Sequence, residues 1–458
     1  MAHTVRARAG RDTDMTQGVI WKQLLFFALP LMVGNLFQQF YNTVDSIVVG
    51  NFVGKEALAA VGSVGPVINS LIGFFSGMAT GGGVVISQSY GARNSRKVSS
   101  AVHTTMLLTF LLSIVFTFAG VAITPFMLRL MSTPPDVLPQ ASEYLEIYFG
   151  GVSGLMVYNM GAGILRAVGD SRRPLYFLIL SACVNTVLDI VFVAVCGWGV
   201  AGVAWATIIA QFISAVLILI VLNRSDGSYQ LHFRKLRIDM GTLQEIVRLG
   251  LPAAIQQMIT SFSNVFVQSY INVFGSDVMA GWSAYSKIDQ FVMLPLQSMA
   301  LSITTFVGQN HGAGETDRGK KGTRSALRLS MLISLLVMIP LEIFAPPFVS
   351  LFNSEPGVLY YGSLFLRLLT PFYLLSCVNQ IYAGALRGLG DSKAPMIIML
   401  ASFVVFRQIY LFLVSRLFPS ILLVAFGYPM GWLVCSLSIV IYYRKKHAKL
   451  EAEKVRSL

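Results

Sequence analysis

The chain has 458 residues, of which 55% are hydrophobic and only 12% charged, with a formal net charge of +13. Soluble globular proteins carry about 25% charged residues. Together with a mean hydropathy of +0.68, this composition excludes a soluble enzyme or binding module and predicts a polytopic membrane protein.

A membrane-crossing helix needs about 20 largely apolar residues. In chain order, the polar and basic stretch 1–23 reads as a retained cytoplasmic tail. Six apolar runs follow, at 24–49, 57–89, 101–124, 141–165, 174–195 and 200–222, and together they define an N-terminal lobe over 24–222. The charged segment 223–243 reads as an inter-lobe linker. Six further runs, at 244–272, 279–308, 327–347, 358–386, 395–417 and 420–443, define a C-terminal lobe over 244–443, and a basic tail covers 444–458. The runs are numbered spans 1 to 12 below. The four cysteines and five histidines have no metal-ligand spacing and no catalytic arrangement. The pattern therefore predicts no enzyme, no bound metal and no cofactor.

The chain contains one stretch twice. Residues 162–174 read A-G-I-L-R-A-V-G-D-S-R-R-P and residues 383–395 read A-G-A-L-R-G-L-G-D-S-K-A-P, eight of thirteen positions being identical at an offset of 221. Gln88 and Gly91 recur as Gln309 and Gly312, and Leu29-Pro30 recurs as Leu251-Pro252. Such anchors mark a duplication. Six spans is an even number, so both halves enter the membrane from the same side and the repeat is parallel.

Charge is distributed by side. One set of alternate connections, with the two tails, holds 28 of the 34 basic residues. The positive-inside rule places both termini and both Gly-Asp-Ser loops in the cytoplasm. The basic excess is thus topology, and nucleic acid is not an expected partner. The spacing predicts surface pairs of Arg166 with Asp170 and of Arg387 with Asp391, with a structural role for both loops.

Polar residues inside spans are costly, and mark candidate sites. Gln38, Tyr41 and Asp45 share one face of span 1. Ser181, Asn185 and Asp189 share one face of span 5, and Thr207 and Gln211 one face of span 6, with Asn159 added from span 4. Asp45 and Asp189 are expected in contact, directly or through Asn185 or an ordered water, and two carboxylates in a poorly solvated chamber cannot both stay ionised cheaply. In the second half Gln257 and Asn264 share a face of span 7, and Asp289 with Arg407 is expected as a structural ion pair. Pro30 removes a helix hydrogen bond in span 1 and gives it a place to bend. The parallel repeat predicts a cavity between the lobes, lined by spans 1, 2, 7 and 8, with Gln38, Tyr41, Gln257 and Asn264 as candidate lining groups.

Twelve spans in a six-plus-six repeat, L-R-x-x-G-D-S-x-x-P after spans 4 and 10, Y-N-T-V-D-S-I-V-V-G at 41–50 and V-N-T-V-L-D-I at 184–190 resemble the multidrug and toxic compound extrusion (MATE) transporters. The resemblance covers about 24–443. It implies an all-α membrane protein with two six-helix bundles around a central cavity. It also implies export of organic cations and amphipathic drugs in exchange for H⁺ or Na⁺, in a prokaryotic cytoplasmic membrane. Asp45 and Asp189 match the acids of the DinF-like branch, with Asn159, Asn185 and Thr207 as polar neighbours and Pro30 as the hinge. The acids of the NorM-like branch on spans 7 and 10 look to be replaced by Gln256 or Gln257 and by Ser376. Expected partners are small drug-like molecules and the lipid bilayer, with no obligate protein partner. The alternative reading is a lipid-linked precursor flippase of the same superfamily.

Overall fold

The structure, a computed structural model, describes residues 14–131, 133–418 and 420–456. The predicted tail cations Arg6, Arg8 and Arg11 lie outside the described residues. In lipid every backbone N–H and C=O must be satisfied within the segment, and the apolar runs accordingly form helices. The first half consists of span 1 (Ile20–Val53), span 2 (Lys55–Gly91), span 3 (Ser95–Leu130), span 4 in two pieces (Leu138–Gly150 and Val152–Ala167), span 5 (Arg172–Val195) and span 6 (Gly199–Asn223). The second half consists of span 7 (Met240–Asn272), span 8 (Ser276–Gly312), span 9 (Thr316–Ile343), span 10 (Pro356–Gly388), span 11 (Lys393–Leu417) and span 12, whose helix runs on from Gly427 to Arg456. Among the described residues ten helices are long and apolar enough to cross a membrane. Span 4 falls short in length and span 7 in composition. Span 4 breaks at Gly151, where the Ile208 side chain of span 6 occupies the space a Cβ would need. Span 7 carries the polar stripe Gln257, Ser261 and Asn264.

The duplication is written into the backbone. Residues with positive φ recur at the offset of 221: Gly54 (119°) and Gly275 (103°) before spans 2 and 8, Arg93 (55°) and Gly314 (76°) after them, and Gly169 (94°) and Gly390 (82°) in the Gly-Asp-Ser loops. The loop carboxylates cap the helices that follow. Asp170 accepts from the Arg172 and Arg173 N–H groups at 3.0 and 3.1 Å and pairs with Arg173 Nε at 2.8 Å. Asp391 accepts from the Ala394 N–H at 3.2 Å and the Tyr442 hydroxyl at 2.8 Å, and pairs with Lys446 at 3.3 Å. The expected pairs Arg166–Asp170 and Arg387–Asp391 are therefore not formed. Nearer donors satisfy both carboxylates, and both arginines turn the other way.

The linker after span 6 packs rather than floats. Tyr229 and Leu231 are buried, and the His232 N–H donates to His103 Nε2 of span 3 at 3.1 Å. At the start of span 7, Asp239 accepts from the Thr242 N–H at 2.8 Å, which holds its exposed carboxyl below the usual range.

The lobes meet along two seams. Span 2 lies against span 7 through Gly73, Gly77 and Gly81. A Cβ on Gly77 would sit 2.7 Å from the Ala253 carbonyl carbon, and one on Gly81 would sit 2.8 Å from the Ile246 oxygen. Span 1 lies against span 8, with Ser302 Oγ donating to the Leu24 carbonyl at 3.1 Å and Gln39 Nε2 donating to Gln290 Oε1 at 3.0 Å. At the end that carries the Gly-Asp-Ser loops, the duplicated glutamines cross over. Gln88 Nε2 donates to the Gly388 carbonyl at 2.8 Å, and Gln309 Nε2 donates to the Ala167 carbonyl at 2.9 Å. Met15, fully buried, closes the same end. Its N–H donates to Gln309 Oε1 at 3.0 Å, and its carbonyl accepts from Asn310 and Arg318 at 3.0 and 3.2 Å.

Candidate functional site

Inside the first lobe, spans 1, 5 and 6 bring Asp45, Asn185, Asp189 and Thr207 to one buried place, each at most 7% exposed. Asp45 and Asp189 interact with each other in this chamber. Buried polar atoms normally have partners, yet here Asp45 Oδ1, both Asp189 oxygens, both Asn185 amide atoms and Thr207 Oγ1 have none among the described residues. Six orphan atoms in one chamber, five of them oxygens and the sixth the Asn185 amide nitrogen, suit a shared proton, a hard cation or ordered water.

Two local features build this chamber. Asp189 ends the α-helical part of span 5, and Asp45 lies one turn before the end of that in span 1. Each is followed by a π-helical turn, at Ile190–Val195 and Val49–Val53 respectively. π-turns cluster at functional sites because they re-aim side chains. Sequence reasoning missed them, and nothing in their β-branched runs distinguishes them from ordinary apolar helix. Pro30 lies within a continuous helix from Ile20 to Val48.

Between the lobes is a cavity of about 440 Å³. Its wall draws on spans 1, 2, 7 and 8, and also on spans 4, 5, 6 and 10. Gln38, Asn159 and Gln257 line it; Tyr41 and Asn264 do not. Tyr41 is buried beside Asp45, within reach of Gln38 and Gln211, which both line the cavity. It thereby stands between cavity and acid chamber. Asn264 is held elsewhere, accepting from Arg407 Nη2 at 2.9 Å.

The expected Asp289–Arg407 ion pair is not formed. Asp289 accepts from the Tyr373 hydroxyl at 2.6 Å and the Tyr285 hydroxyl at 3.4 Å. Arg407 donates to Ser263 Oγ at 3.0 Å and to Asn264, and its guanidinium lies 4.7 Å from the Tyr428 ring centre. Each charge is met by closer neutral donors, acceptors or an aromatic face, which avoids the cost of bringing two long side chains together. No group of three or more His, Cys, Asp or Glu with metal-binding geometry occurs among the described residues.

Two parallel helical bundles around a polar cavity, with a buried acid pair in one of them, define a membrane transporter and not an enzyme. The MatE family model matches the chain twice, at residues 30–191 and 252–413, once in each lobe. The chain belongs to this family, the multidrug and toxic compound extrusion transporters. It is 31% identical over 433 residues to the probable multidrug resistance protein YoeA of Bacillus subtilis, covering 93% of this chain and 94% of that one. It is 31% identical over 448 residues to the probable multidrug resistance protein YpnP of the same organism, covering 96% and 99%. A solved multidrug resistance MATE transporter in an outward-facing conformation superposes with a TM-score of 0.91 at 24% identity, over 97% and 99% of the two chains. The flippase alternative finds no support in these relatives.

Proposed function

We propose that this protein is a secondary antiporter of the cytoplasmic membrane, with both termini in the cytoplasm, that exports amphipathic compounds in exchange for H⁺ or Na⁺. The observation that carries the reading is the facing pair Asp45–Asp189 with its orphan polar atoms, joined to the cavity by Tyr41. A proton or Na⁺ entering between the carboxyls neutralises the chamber. Span 1 carries Asp45 and packs on both span 5 and span 8, so a change at Asp45 is felt at the opposite lobe. Gln38 and Tyr41 share that helix, and the missing hydrogen bond at Pro30 gives it a place to bend. Ion and cargo then compete through one helix, provided the ion binds the two conformations with different affinity.

The test is transport in proteoliposomes under an imposed pH or Na⁺ gradient, comparing wild type with Asp45→Asn and Asp189→Asn. Loss of gradient-driven export with retained cargo binding supports the reading. Full ion-coupled export by either variant removes these carboxyls from the coupling.

A further inference from the structure

We propose that the inter-lobe cavity is an anion site, and that the cargo it selects is an amphipathic organic anion with a carboxylate, sulfonate or phosphate head. The observation is the charge of the wall. Arg166 of span 4 and Arg387 of span 10, the two copies of the duplicated Leu-Arg, both line the cavity, and among the described residues no Asp, Glu, Lys or His lines it. Each lies one residue before the carbonyl of Ala167 or Gly388 that the crossed glutamines hold.

Neither arginine is neutralised by a described residue. Among the described residues no ion pair forms at Arg166 or Arg387, and Arg166 makes no hydrogen bond. Arg387 is held in place, its Nη2 donating to Gln256 Oε1 at 2.7 Å, while its Nε–H is buried and unpartnered. The acids of the first lobe do not reach the cavity wall. Arginine stays protonated in proteins, so the wall carries two fixed positive charges in a membrane interior, where an uncompensated charge is costly. An oxyanion head in the cavity meets these guanidinium groups through charge-assisted hydrogen bonds. An organic cation there meets like charge and no counter-ion. The amides Gln38, Gln257 and Gln380 serve either sign, and Ile72, Leu155 and Leu301 supply an apolar wall for the body of the ligand. The arginines therefore set the sign, where the family resemblance alone implies organic cations.

This assignment rests on the export reading for its biological direction but not for its test. Two ions with one aromatic body, 1-naphthyl phosphate and 1-naphthylmethylammonium, are measured by equilibrium dialysis against the full-length protein in phosphatidylcholine nanodiscs, with empty discs subtracted. The expected result is anion binding at least about tenfold tighter than cation binding, lost by about tenfold or more in Arg166→Gln/Arg387→Gln and kept in Arg166→Lys/Arg387→Lys. Discs containing phosphatidylglycerol separate the two sources of an oxyanion head. Competition by the lipid assigns the site to a headgroup, and its absence assigns it to a soluble anion. Cation binding as tight as anion binding in wild type, or anion binding indifferent to the arginines, overturns the assignment. If the glutamine variant does not fold, displacement of 1-naphthyl phosphate from wild type by inorganic phosphate decides instead, with no displacement counting against it. A wild type that binds the anion but moves nothing under either gradient leaves the site standing and refutes the antiport reading.

Discussion

Gly91→Ala is the sharpest probe of how the lobes close. A Cβ on Gly91 would lie 2.6 Å from the Gln309 carbonyl carbon and 2.8 Å from its Cα, and closer still to its oxygen. Carbon atoms normally rest about 3.5–4.0 Å apart, so the lobes must part by about 1 Å at this end, and the opposing atoms are backbone and cannot turn aside. Forcing an extra methyl into a packed contact costs about 1–3 kcal/mol. The cost falls only on the conformation in which this end is sealed, so it shifts the balance toward the opened one by about 5- to 150-fold. Gly312→Ala meets the Gln88 carbonyl carbon at 2.7 Å and should act alike, with the two shifts multiplying until the seal is lost. Spin labels at Ser95 and Glu315, both exposed at this end in opposite lobes, report the change by double electron-electron resonance in a background without the native cysteines. Wild type should give one narrow short distance, and the variant a longer or divided one. An unchanged distribution in both glycine variants would show that the seam yields elsewhere and that these contacts do not hold the lobes together.

Other outcomes follow from the same geometry. Gln88→Leu and Gln309→Leu each remove one crossed hydrogen bond worth about 0.5–1.5 kcal/mol; the double variant should increase labelling of a cysteine placed at Thr304 by a reagent added from the loop end, and unchanged labelling refutes the seal. Asp170→Ala strips the cap from span 5 and should lower thermal stability by about 0.5–2 kcal/mol without a selective loss of transport; if transport alone is lost, the loop belongs to the mechanism. Tyr373→Phe leaves Asp289 with the 3.4 Å contact to Tyr285 alone, and should destabilise by about 1–3 kcal/mol in a thermal shift. Asp239, whose carboxyl is lowered by Thr242, stabilises the start of span 7 above the ordinary carboxylate range, and that contribution fades as pH falls through its depressed value. The melting-temperature gap between wild type and Asp239→Ala should therefore close in acid and stay constant between pH 6 and 8.

The broad design was legible because lipid leaves few choices. Apolar runs must become helices, and a repeat of 221 residues must reappear in space, as it does in the paired backbone angles at Gly54 and Gly275 and in the crossed Gln88 and Gln309. Asp45 and Asp189 could be set on facing stripes because helical periodicity fixes azimuth. What escaped was the direction of long side chains. Arg166 and Arg387 lie in a motif that also serves topology, and only the fold reveals that Asp170 and Asp391 are satisfied by nearer donors and leave the guanidinium groups to the cavity. Asp289 and Arg407 failed as a pair for a related reason. Sequence counts charges, whereas Tyr373, Asn264 and the Tyr428 ring compete with them at closer range. The π-turns beside both acids have no signature in residue type at all.

The glycine seam between spans 2 and 7 has a mechanical consequence. Helices that pack through side chains interlock as ridges in grooves and move past one another in steps. At Gly77 and Gly81 there are no ridges, and backbone faces backbone across the bundle. Such a surface tolerates small rotations without any side chain changing rotamer, and it gains its attraction from closeness rather than from interdigitation. It is a bearing. The two lobes can rock about it as rigid bodies with little friction, so the work of choosing a state falls on the contacts at either end of the axle.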